Sequence, residues 1–431
     1  MLDALGRSSR FFRVISLGSR FMNRGWRVVA AGLGINLALG ILYTWSVISK
    51  AIPADWGWSK FDKSLPYSIC CVVFALIMVP AGRLQDRFSP RLVAMLGGIL
   101  VGVGMIVASF GAGSVTYYVI GFGLLAGTGI GFGYASATPP AVKWFPPAKT
   151  GMIAGLVVCG FGLAPAYAAP LTNWLVSLPG GVSQALWVLG CAFLIIVVAL
   201  SQLLKTPPAG YVPPGTAAAT TAKAGQKVDF SPLETLKTSQ FYLLWFMYAC
   251  GAGAGLMVIS NLATIGMEQA GIAKPFILVA SMAIGNGAGR IIAGTVSDRL
   301  GRKPTIVGCL LFQAVMMIVF TMATKGSPLA SLPVLCVISA LVGANYGANL
   351  ALYPSVTKDY YGLKNFGVNY GLVFTAWGIG GFLLTQLASK LRDWNETWVL
   401  GFYVSCGFLI LAAVVAAFLR APQRSVTGSE G

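Results

Sequence analysis

Arg290 is the side chain from which a chemistry can be read. It lies within an apolar run at roughly 275–296, while all 12 acidic residues fall in tails, loops or the ends of such runs. A guanidinium is a planar fork of donors and meets a carboxylate through two parallel N–H···O bonds. Because no carboxylate of the chain shares its surroundings, a small carboxylate anion bound from outside would supply the counter-charge. Asn286, four residues earlier, lies on the same helical face and could orient Arg290 or bond the same ligand. The competing reading is a side chain bent towards the polar end of its segment. Asp298 is eight residues further on, about 12 Å along a helix. Tyr134 and Tyr346, which lie 212 residues apart, are the next candidates, each with a hydroxyl for the anion and a ring for an apolar wall.

Other chemistries lack their parts. The chain has no His, so neither a His-based triad nor a His-containing metal site can be built. Of eight Cys, Cys70 and Cys71 are adjacent, and Cys159, Cys191, Cys250, Cys309, Cys336 and Cys406 stand singly in apolar runs without metal or redox spacing. No cofactor, no metal and no enzymatic activity are expected. The glycine runs Gly127–Gly133 and Gly251–Gly255 imitate nucleotide loops, but no strand precedes them and close helix packing explains them better.

The elements that must position Arg290 follow from composition. The chain has 431 residues, 56% of them hydrophobic and 10% charged, with mean hydropathy +0.77; a soluble protein carries about 25% charged residues. Twelve apolar runs are long enough to cross about 30 Å of hydrocarbon, which takes about 20 helical residues. They cover roughly 27–49, 64–82, 92–111, 115–139, 151–175 and 184–204, then 241–265, 275–296, 305–324, 330–353, 366–389 and 397–419. Their apolar residues surround each segment and do not alternate, which predicts helices in lipid and excludes barrel strands. The expected fold is an all-α membrane protein of twelve transmembrane helices. The runs at 115–139 and 151–175 are long enough to tilt or bend, and Pro165 and Pro170 should bend the fifth helix.

Basic residues set the orientation. With the N-terminus cytoplasmic, inside tails and loops hold 22 of the 30 Lys and Arg, outside loops hold seven, and Arg290 is the remainder. This predicts a multi-pass protein of the plasma (inner) membrane with both termini cytoplasmic. The formal charge of +18 is then a topology signal, and no nucleic-acid partner is expected. The organisation predicted is a tail at 1–26, a six-helix bundle at 27–204, a flexible Pro-rich linker at 205–240, a second bundle at 241–419 and a tail at 420–431. The first tail lacks a small-residue cleavage site, so it is not read as a signal peptide, and translation could start at Met22. Ser231-Pro232-Leu233-Glu234 has capping-box spacing and predicts a short helix.

The chain repeats itself. Gly82-Arg83-Leu84-Gln85-Asp86-Arg87 follows the second run and Gly294-Thr295-Val296-Ser297-Asp298-Arg299 the eighth, again 212 residues apart. Duplication of a six-helix unit explains this. Gly82 and Gly294 permit close helix approach, and Asp86, Arg87, Asp298 and Arg299 could latch the halves on the cytoplasmic side. At the position equivalent to Arg290 the first half carries Met78, so the shared architecture does not itself require the Arg.

These loops resemble those of the major facilitator superfamily, with Ser89 departing from the expected Gly in the first copy. Leu42-Tyr43-Thr44-Trp45-Ser46, Lys143-Trp144-Phe145-Pro146, and Tyr353-Pro354-Ser355 through Tyr361-Gly362 to Asn369-Tyr370-Gly371 look like the oxalate:formate antiporter family, related to monocarboxylate transporters. The resemblance implies two pseudo-symmetric bundles, alternating access and a small carboxylate as substrate, and places Leu42 and Tyr43 towards the cavity. Oxalate-transporting members carry a second cation, Lys, in helix 11; here Trp377 stands at that place with Phe374 nearby. One cation with an aromatic wall suits a monocarboxylate such as lactate or pyruvate better than oxalate. Anion exchange and proton symport both stay open, since no Asp, Glu or His lies within a span. A monomer in the lipid bilayer is the expected unit.

Overall fold

The computed structural model describes residues 24–146, 150–208, 210–213, 229–362 and 365–422. Among these residues, twelve helices are long and apolar enough to span a bilayer. In chain order they are α1 (Arg24–Lys50), α2 (Lys60–Gln85), α3 (Pro90–Ser109), α4 (Val115–Val142), α5 (Met152–Val176) and α6 (Gly181–Ser201). After the linker come α7 (Ser239–Glu268), α8 (Phe276–Leu300), α9 (Arg302–Met322), α10 (Leu332–Tyr361), α11 (Phe366–Asn395) and α12 (Val399–Ala417). Met22 and the rest of residues 1–23 lie outside the described residues.

All twelve expected segments are helices, and the differences lie at their ends. Hydropathy marks only the slab in lipid, whereas a helix continues into water as long as its backbone stays bonded and its end is capped. α10 thus runs eight residues beyond the expected 353, through Lys358 and Asp359, and stops at Gly362 with φ +80°. α2 starts four residues early, at a capping box between Ser59 and Asp62. The long fourth segment contains a π-helical stretch, Val119–Ala126. Pro165 and Pro170 stay inside one unbroken helix. The capping box at Ser231 and Glu234 starts a short helix, Pro232–Leu236, as its spacing predicts.

The linker is held at both ends. Trp144 Nε1 donates to the Lys205 carbonyl at 2.7 Å, and the Trp144 ring lies 5.3 Å from that of Tyr211. Beyond residues 214–228, which are outside the description, Phe230 is buried; its N–H donates to Tyr361, and its carbonyl accepts from Asn365 and Asn369 at 2.9 and 3.0 Å. Two stretches that carry the family resemblance, at 143–146 and 361–371, therefore grip the linker.

Within the C-terminal six, α8 and α10 touch backbone to backbone. A Cβ at Gly285 or Gly289 would collide with the carbonyls of Ala340 and Ala344, and one at Gly343 or Gly347 with those of Met282 and Asn286. The two sets of six meet along α1–α7, α2–α11 and α5–α8. Chain direction puts the linker and both described ends on one face, the linker face, opposite a far face. At the far face Glu268 at the end of α7 accepts from Lys60 on α2, from Arg392 at 3.2 Å and from Trp398 at 3.3 Å. Asp393 accepts from the backbone N–H groups of Lys60 and Phe61 at 2.9 and 3.0 Å, and below this clasp Gln386 donates to Ser68 at 2.9 Å. Towards the linker face, by contrast, a Cβ at Gly82, Gly155, Gly294 or Gly367 would meet nothing within 4 Å.

Candidate substrate site

Arg290 projects from α8 into the middle of the molecule, where it is 8% exposed. Its Nε donates to Asn286 Oδ1 at 3.2 Å, and one terminal nitrogen, Nη1, donates across to the carbonyl of Val158 on α5 at 3.0 Å. The other, Nη2, is buried without a partner. A Cβ built on Gly162 would sit 3.1 Å from Nη2 and 3.2 Å from Asn286 Cγ, so any side chain at 162 would press on the guanidinium and its amide partner. The bond to Asn286 turns the side chain back one helical turn, away from Asp298 and the linker face. Among the described residues no carboxylate pairs with it.

Aromatic rings close round this group. Tyr134 of α4 is partly buried, packs 5.3 Å from both Phe74 and Phe161, and brings its hydroxyl within interaction range of Arg290. Tyr346 is fully buried and its hydroxyl is already engaged: Trp377 Nε1 donates to it at 2.7 Å, and Tyr43 shares a 2.6 Å bond with it. These three residues join α1, α10 and α11 in one polar chain. Phe374 stacks on Trp377 at 5.1 Å and faces Phe74 at 5.5 Å. Tyr134 and Tyr346 thus take different parts, one at the guanidinium and one in a bond across the halves. Leu42 is wholly buried in a 3-10 stretch, Gly40–Thr44, and makes no polar contact here.

Of the latch residues, Asp298 has a described ion-pair partner, and it lies within its own half. Asp298 pairs with Arg302 at 2.7 Å on its own side of the molecule, and Arg302 pairs in turn with Asp359 at 3.1 Å. Arg87 and Arg299 are exposed, and the side chain of Asp86 lies outside the described residues.

Residues that sequence reading missed are Phe74, Phe161, Gly162 and the Val158 carbonyl. A signal for two of them was present. The 212-residue offset that pairs Tyr134 with Tyr346 also pairs Phe74 with Asn286 and Gly162 with Phe374. Chemically, the site offers one cation, a free N–H fork edge, an amide and a phenol inside an apolar wall. It suits a single small anion. Among the described residues no cluster of His, Cys, Asp or Glu could hold a metal.

Comparison with known proteins agrees with this architecture. The chain is 26% identical over 410 residues to the oxalate:formate antiporter of Oxalobacter formigenes, covering 94% of each chain. It is 25% identical over 397 residues to monocarboxylate transporter 13 of Bos taurus, covering 91% of this chain and 88% of that one. Its fold matches the crystal structure of a bacterial homolog of the human lysosomal transporter Spinster, in an inward-facing and occupied conformation. That match has a TM-score of 0.66 at 16% identity, over 92% of this chain and 96% of the other. The family model described as Major Facilitator Superfamily matches residues 28–283 and 276–430. With twelve spanning helices and both portions of the sequence inside that family's pattern, the chain is a multi-pass membrane transporter and belongs to the Major Facilitator Superfamily.

Proposed function

We propose that this transporter carries small monocarboxylates of the lactate and pyruvate kind by alternating access, with Arg290 as the carboxylate clamp. The observation that carries this reading is the buried Nη2 of Arg290, a charged donor without a partner in a segment that crosses the membrane. An unmatched guanidinium there costs about 2.5–3.5 kcal/mol on insertion scales, and a substrate carboxylate offsets that cost while it is bound. Asn286 and Tyr134 complete the anion's hydrogen bonds, and Tyr43, Tyr346, Phe374 and Trp377 keep water from its surroundings. The linker face is cytoplasmic in this reading, and the halves 27–204 and 241–419 rock about the site. Since an empty site leaves Arg290 without its counter-charge, exchange of one anion for another is the favoured mode.

Oxalate:formate antiport is the second reading, supported by the relative of that name. The presence of Trp377, where oxalate carriers have a second cation, weighs against it. Uptake of labelled lactate, pyruvate, oxalate and formate into proteoliposomes separates the two, each with and without anion or a pH gradient inside. Lactate or pyruvate entering faster than oxalate, and faster still against internal anion, is the expected outcome; faster oxalate uptake overturns the monocarboxylate assignment.

Gly162 provides a sharper check. Replacing it with Val adds carbons where even a Cβ is only 3.1 Å from Nη2. Helix propensity changes little or improves, so folding should survive while the clamp is displaced. The expected result is a KM for the transported acid raised about tenfold or more, about 1.4 kcal/mol or more of lost binding, with a melting temperature close to wild type.

A further inference from the structure

The guanidinium has a neighbour that its charge does not explain. A small cavity lies on the far-face side of Asn286, between α1, α5, α7 and α8, with Tyr43 at its edge. Gly162, which lies beside Nη2, and Asn286, which accepts from Nε, both line it. Pro165, Leu262, Val279 and Ala283 form apolar walls. The room inside suits about one water-sized group. Water is a poor occupant, because it needs two to four polar partners and these walls offer almost none.

We propose that this cavity receives the methyl group of the substrate and sets the chain length of the acids carried. The inference rests on the carboxylate reading above and assigns the substrate's apolar end to a place. An acid whose carboxylate lies on Nη2 has its second carbon over Gly162, and a short tail there points between Pro165 and Ala283. A one-carbon tail fills the niche and a longer tail meets its walls. A second carboxylate would be stripped of water against Val279 and Leu262 with no donor to replace it, so oxalate is rejected here as well as by the lack of a second cation. Trp377, held 2.7 Å from Tyr346, then closes the opposite side of the site and does not receive the tail.

Two variants push in opposite directions. Ala283→Val fills the niche and Leu262→Ala enlarges it. Each is reconstituted and tested for inhibition of labelled pyruvate uptake by glyoxylate, pyruvate, 2-oxobutanoate and 2-oxopentanoate, which differ by one carbon per step. In the wild type pyruvate should compete best. Ala283→Val should weaken pyruvate about tenfold relative to glyoxylate, and Leu262→Ala should move the optimum to 2-oxobutanoate or longer. Because each result is a ratio within one protein, partial loss of folded protein does not imitate it. The niche is refuted if either variant folds and leaves the order of the four acids unchanged. If the wild type transports none of them, the carboxylate reading itself fails and the niche with it.

Discussion

Arg290→Ala should remove carboxylate uptake, and Arg290→Met should make the empty transporter harder to unfold. Truncating one partner of a buried, hydrogen-bonded charge pair costs about 2–5 kcal/mol, which predicts a fall in transport of about 30-fold to several thousand-fold. Arg290→Lys keeps the charge but loses the fork that donates to Asn286, Val158 and the substrate together. A lysine ammonium is a point charge on a flexible stem, so that variant should lose about tenfold or more. The stability effect has the opposite sign. Without substrate, the wild type keeps a cation in the membrane whose Nη2 is unbonded, so Arg290→Met, which retains much of the volume, should melt at a higher temperature. Saturating pyruvate should raise the melting point of the wild type, by about 2.7 kcal/mol of linkage at a hundred times Kd, and leave that of Arg290→Met unmoved. Undiminished uptake by Arg290→Ala would refute the clamp.

The second large effect is expected at the far face. Glu268 joins Lys60 of one half to Arg392 and Trp398 of the other, and its carboxylate is only partly exposed. Glu268→Gln removes the negative charge and leaves two cations facing each other, so the clasp should open more often. A shift of about 1.4 kcal/mol, tenfold in population, is the expected size for a partly buried network of this kind. It can be read from a cysteine placed at Ser68, which Gln386 covers from the other half. In an otherwise cysteine-free chain, an impermeant thiol reagent on the far side should label that cysteine about tenfold faster when Glu268→Gln is present. Equal labelling rates would show that the clasp does not hold the far face shut. Like any ion pairing near water, the difference should shrink as salt rises.

The number and order of the spanning helices were legible because lipid makes a demand that composition meets directly: about twenty apolar residues for each crossing. Helix ends were less legible. Residues 354–361 of α10 look like a loop by hydropathy, yet they remain helical because a capped helix needs no lipid. In the site, the lone charge and its i−4 partner followed from spacing along one helix. Contacts between helices did not. Nothing local marks Val158, whose contribution is a carbonyl common to every residue, or Gly162, whose contribution is the absence of atoms. The joint bond of Tyr346 to Tyr43 and Trp377 depends on three helices distant in the chain. The linker held another surprise. Asn369 belongs to a stretch that carries the family resemblance, and its amide holds the Phe230 carbonyl.

The glycine contacts between α8 and α10 have a mechanical consequence. Helices in backbone contact at Gly285, Gly289, Gly343 and Gly347 have no compliant side chains between them to absorb shear, so they move as one stiff lever. In the proposed rocking cycle, whatever displaces Arg290 displaces Tyr346 with it. The variable distance is the one to Val158 and Gly162 on the opposing half. Release of the anion in that proposed cycle follows the retreat of α5 from this lever.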